Sequence, residues 1–87
     1  MMTDNHAHKV VADHYGYENQ RLKLIEECGE LIQALAQDSQ PDIVEAMADV
    51  GNLMIQIAYL MKTNKLIHKT MEEKLKYLME KLFDGAF

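Results

Sequence analysis

Between residues 41 and 62 the chain reads PDIVEAMADVGNLMIQIAYLMK, and a helix drawn through that segment is apolar around most of its circumference. With about 100° of rotation per residue, Ile43, Val44, Met47, Val50, Met54, Ile55, Ile57, Ala58 and Met61 cover most of the wheel. Asp42, Glu45, Asp49, Asn52 and Gln56 fall in one strip roughly 80° wide. An ordinary surface helix has the opposite proportions. A helix of this kind is expected to be packed by neighbours on more than one side, with its acidic strip partly enclosed. Enclosed carboxylates require partners, because an unpaired buried charge is costly.

The remaining sequence supports an all-α fold. One proline and four glycines in 87 residues leave little punctuation for many short strands. Four helical segments are expected. The first spans residues 2 to 16, capped by Asp4 or Asn5 and ended by Gly16 in a left-handed turn. The second spans 17 to 37, with Leu24, Cys28, Leu31 and Leu35 along one face, widened by Ile25 and Ile32. The stretch DSQP then breaks the chain, and Pro41 suits the first turn of the third helix. KTNKLIH reads as a polar connection. Thr70 and Glu73 form a capping box for a fourth helix, 71 to 83, with Met71, Leu75, Leu78 and Leu82 as its apolar stripe. Short connections imply antiparallel neighbours, hence a compact four-helix bundle in a single domain, residues 1–87. Met47, Met54, Met61 and Met71 sit at core-like spacings and are expected to fill the interior, as is Cys28.

Composition narrows the function classes. The formal net charge of −5 does not suit a nucleic-acid binder. A single cysteine permits neither an internal disulfide nor a cysteine-based zinc site. No segment reads as a signal peptide and no apolar run approaches transmembrane length, so a cytoplasmic protein with no membrane partner is expected. A chain this short buries a modest core by itself, which points to a homo-oligomer.

The chemistry concentrates in EECGE, residues 26 to 30. Glu27 lies at the edge of the apolar stripe of its helix, beside Gln20 and Ala34, and Glu27 and Glu30 are i, i+3 neighbours whose carboxylates can meet. Packed antiparallel, this helix and the acidic strip of the next gather about four carboxylates in a small volume. Hard oxygen ligands of this kind suit Mg²⁺ or Mn²⁺, which would recruit a phosphate-bearing substrate.

These residues resemble the signature of the MazG-like, all-α nucleoside triphosphate pyrophosphohydrolases. That signature is EExxE on one helix and Glu-x-x-Asp on the next. Here EECGE is followed, after fourteen residues, by EAMADVGNLM. YGYENQRLKLIEECGELIQALAQ is similar to the family's first-motif region, and MEEKLKYLMEKL to the lysine-bearing last helix of small, phage-type members. The resemblance implies a helical bundle assembling as a homodimer or homotetramer. It implies Mg²⁺-dependent cleavage of a (d)NTP substrate to the monophosphate and pyrophosphate. By position, Glu27, Glu30 and Asp49 match metal-binding acids, and Glu26 a supporting catalytic acid.

The chain departs from that pattern at Ala46, where the family has the Glu three residues before the Asp. Glu45, four residues before Asp49, is the acid at hand, as a shifted metal ligand or a proton acceptor. Asn52 can hydrogen-bond the sugar or base, and Lys74 can meet a phosphate. The alternative expectation is a catalytically impaired relative that binds a nucleotide or a protein partner.

Overall fold

A computed structural model describes residues 4–84. Three α-helices and no strands occur among them: α1 (Asp4–Gln37), α2 (Gln40–Met61) and α3 (Asn64–Phe83). The fold is all-α with three helices rather than four. The first two expected helices run on as one element, but the expected break is there: Gly16 is non-helical, with a φ of 83° and ψ of 165° that only glycine adopts easily. The helix resumes at once on the far side of the bend. The expected start at Met2 and Thr3 lies outside the described residues.

The α1–α2 turn follows from local chemistry. Asp38 takes a left-handed φ of 52° and donates its backbone N–H to Leu35 O at 3.1 Å, while Ser39 N–H reaches Ala34 O at 3.3 Å. Pro41 stands in the first turn of α2, where its missing N–H removes nothing. Lys62 ends α2 in the same left-handed way, with φ 57°.

α3 begins at Asn64, so KTNKLIH is largely helical rather than a connection. Thr70 is no cap. Its hydroxyl donates to Leu66 O at 2.8 Å, one turn back within the helix.

α1 and α2 form an antiparallel hairpin. Tyr59 meets Asp13, and Gln56 meets Gln20. Buried along the seam are Ala12, Ala34, Ala46, Val50, Leu53 and Ala58, together with the polar Gln20, Glu27 and Gln56. Gln20, Glu27 and Ala34 recur every seven residues, so one line along α1 faces α2. The small side chains let the helices approach closely.

Three packing expectations are corrected. The broad apolar face of α1 is only partly covered: Leu24 and Leu31 are half-buried, while Ile25, Ile32 and Leu35 are exposed. Cys28 is half-buried, and Met47, Met54, Met61 and Met71 are all exposed, so within one chain they fill no core. α3 has no buried residue, touches α2 sparingly, and its body does not pack on α1. The physical reason is shared. A single hairpin covers one face of each helix, and this chain has more apolar surface than one hairpin can cover. In addition, α2 is long and apolar enough to pass as a membrane-crossing helix on length and composition, although no run of that length was expected. Its acids Asp42, Glu45 and Asp49 and its seam with α1 place it in the hairpin.

Candidate functional site

Glu27 is drawn into the hairpin seam by its place between Gln20 and Ala34. It is only 6% exposed. One oxygen, Oε1, accepts from Lys23 Nζ at 3.2 Å, and Lys23 also reaches Glu26 at 3.6 Å. The other oxygen, Oε2, is buried and has no donor. Glu26, Glu27 and Glu30 each place one carboxylate oxygen within 4.8 Å of the others.

The titration behaviour reports the same crowding. Glu30 is held above the ordinary carboxylate range, first by its hydrogen bond to Glu27 and then by that neighbour's charge. Glu27 is held below it, first by the hydrogen bond from Glu30. Burial opposes this, and Lys23 and then Asp49 add to it. Glu27 and Glu30 therefore shift each other's titration in opposite directions, and Asp49 of α2 acts on Glu27 in the same sense as Lys23. A buried oxygen without a donor among carboxylates fits a hard divalent cation; Glu26, Glu27 and Glu30 present the clustered oxygens, and Asp49 stands in the walls of the adjoining clefts.

Two clefts flank this group, with Asp49 in the wall of both. The first, about 360 Å³, is lined by Glu30, Gln33, Asp42, Glu45, Ala46 and Asp49. Glu45 thus faces the same space as Glu30 and Asp49, while the buried Ala46 leaves room where a longer side chain could stand. The second, about 600 Å³, is lined among others by Tyr15, Asn19, Gln20, Lys23, Glu27 and Asn52. Its size is ordinary for a small-molecule site.

The structure clusters Glu26, Glu27 and Glu30, sets Glu30, Glu45 and Asp49 in the wall of the first cleft, and sets Glu27, Asp49 and Asn52 in the wall of the second. It does not bring in Lys74, which lies on α3 and lines neither cleft. Sequence reasoning passed over the polar relay in the floor of the second cleft. Gln20 Nε2 donates to Gln56 Oε1, and Gln56 Nε2 donates to His8 Nδ1 at 3.1 Å. Two signals were available. Gln56 continues the strip through Asp49 and Asn52, and Gln20 lies seven residues before Glu27.

No protein-family model, curated protein or solved structure matches this chain.

Proposed function

We propose that the protein is a Mg²⁺-dependent nucleoside triphosphate pyrophosphohydrolase of the MazG-like type, cytoplasmic and homo-oligomeric, converting a (d)NTP to the monophosphate and pyrophosphate. The observation that carries this reading is the buried, donorless Glu27 Oε2 in a carboxylate group that borders two clefts.

Glu27, Glu30 and Asp49 hold the cation, with Glu45 as the fourth acid from across the smaller cleft. Bound there, Mg²⁺ supplies positive charge that offsets repulsion between the acids and the triphosphate and makes phosphorus more electrophilic. Lys23 holds Glu27 in place through Oε1. The exposed Glu26, or Glu45 where it does not ligate the cation, is the carboxylate that accepts a proton from an attacking water. The larger cleft takes the nucleoside, with Tyr15 offering a ring face and Asn19 and Asn52 offering amides to sugar or base.

A second reading is favoured by position 46. The acid of the signature is replaced by a buried alanine, and Glu45 is exposed. A protein that binds a nucleotide or a protein partner without turnover fits that observation. Incubation with Mg²⁺ and a panel of NTPs and dNTPs, assaying pyrophosphate separately from orthophosphate, decides between them. Pyrophosphate with monophosphate supports the enzyme. Mg²⁺-dependent stabilisation without product from any nucleotide supports the binding relative.

A further inference from the structure

The exposed face of α1 carries a regular seam. Leu22, Ile25, Gly29, Ile32 and Ala36 follow alternating steps of three and four residues, and all five are exposed. Gly29, at its middle, has nothing within 4 Å of where a Cβ would stand. α3 carries a matching stripe, Ile67, Met71, Leu75, Leu78 and Leu82, also exposed throughout. At 1.5 Å per residue, the two run for about 21 and 22 Å. They have the same length, and within one chain they do not meet.

Along one side their borders carry opposite charge. Lys74 and Lys81 flank the α3 stripe, and α3 as a whole holds five lysines against three glutamates. Glu26 and Gln33 flank the α1 seam on the side of the acid group, while Arg21, paired with Glu18, flanks its other side; α2 holds three acids with no lysine or arginine.

We propose that α3 of one copy lies along the α1 seam of a second copy, and reciprocally, with Leu75 over the gap at Gly29 and Lys74 beside Glu26 of the partner subunit. A two-fold arrangement uses each patch twice, which doubles the area two narrow stripes contribute toward the roughly 1,600 Å² total that stable interfaces bury. It accounts for an α3 with no buried residue. It also gives Lys74 a route to the acid group that its own chain does not provide, a consequence that rests on the functional reading above. The docking itself does not depend on that reading.

The test is the mass of the full chain in solution, by light scattering and sedimentation equilibrium, with helix content followed by circular dichroism. The parent is expected to be a dimer or an even-numbered assembly of dimers. Gly29→Arg removes a helix-weakening glycine, and its Cβ meets no atom within 4 Å in its own chain, yet its side chain fills the docking gap. It is expected to weaken dimerisation at least tenfold with helix content retained, as is Leu75→Glu. Lys74→Glu and Glu26→Lys are each expected to weaken it, and the double variant to recover most of the loss. A monomeric parent, a parent that partitions onto lipid vesicles instead of dimerising, or a Gly29→Arg and Leu75→Glu pair that both dimerise like the parent would overturn the docking. A charge swap without recovery overturns the placement of Lys74. Because the readout is mass, an inactive protein that dimerises in this way leaves the docking standing and counts only against the enzymatic reading.

Discussion

Glu27 of α1 and Asp49 of α2 face the same cleft across the hairpin, and Lys23 is the cation paired with Glu27. Two acids from different helices converge where one of them has a buried oxygen without a donor. This arrangement favours a cation and is the basis of the first prediction. Mg²⁺ raises the melting temperature of the parent, by the equivalent of about 2.7 kcal/mol at a hundred times its dissociation constant. Glu30→Gln and Asp49→Asn each remove that response and keep the helical circular dichroism signal. If both still respond like the parent, the site is misplaced.

The opposite shifts of Glu27 and Glu30 set a pH dependence. Glu30 has a raised folded pKa, so its contribution to stability is full below the unfolded carboxylate pKa and disappears as pH rises through the folded value. Glu27 has a lowered one, so its contribution is present above the unfolded value and disappears as pH falls through the folded value. A divalent cation competes with the proton on Glu30. Mg²⁺ affinity is therefore expected to increase with pH through Glu30's raised range, with proton uptake by buffer on binding. Calorimetric titrations in buffers of different ionisation enthalpy measure this, and a pH-independent affinity with no proton release contradicts it.

Position 46 separates structure from chemistry. Ala46→Glu places a carboxylate at a buried position beside Glu30, Glu45 and Asp49. Without Mg²⁺ it is expected to cost about 1–3 kcal/mol, the usual range for a poorly satisfied buried polar group. Saturating Mg²⁺ is expected to recover most of that loss. Glu45→Ala in the parent is expected to mimic Asp49→Asn in thermal shift. A parent-like Mg²⁺ response in Glu45→Ala removes Glu45 from the ligand set.

The relay from Gln20 through Gln56 to His8 predicts non-additive mutations. Gln56→Leu leaves the buried Gln20 amide without its acceptor and is expected to cost about 1–3 kcal/mol in urea unfolding. Adding Gln20→Leu is expected to cost less than the sum of the single changes, since both ends of the bond are then gone. Strict additivity would show that the bond carries no coupling.

Gly16 has empty space around it, so a methyl group would clash with nothing outside the backbone. Its φ of 83° still makes Gly16→Ala unfavourable, by about 1–3 kcal/mol, with no change in Mg²⁺ affinity per folded molecule. Equilibrium unfolding checks the first part and titration at saturating folded protein the second.

Much of the hairpin was legible in the sequence. The line through Gln20, Glu27 and Ala34 stood at the edge of an apolar arc, and it is the line that is buried. The facing of Ile25, Ile32 and Met54 was not legible. A helical wheel yields arcs and says nothing about which arc a second element covers. The capping box at Thr70 failed because a threonine within a helix can satisfy its hydroxyl on the carbonyl four residues back. In the site, the acids and Asn52 were readable from spacing. The roles of Lys23 and Gln56 were not, because each depends on a partner whose position the hairpin sets.

The bend at Gly16 divides the wall of the larger cleft. Val11 and Tyr15 precede it, and Asn19, Gln20, Lys23 and Glu27 follow it. The elbow therefore acts as an aperture. The backbone angles of one residue fix how its two walls stand relative to each other, although the residue at the bend has no side chain to offer the cleft.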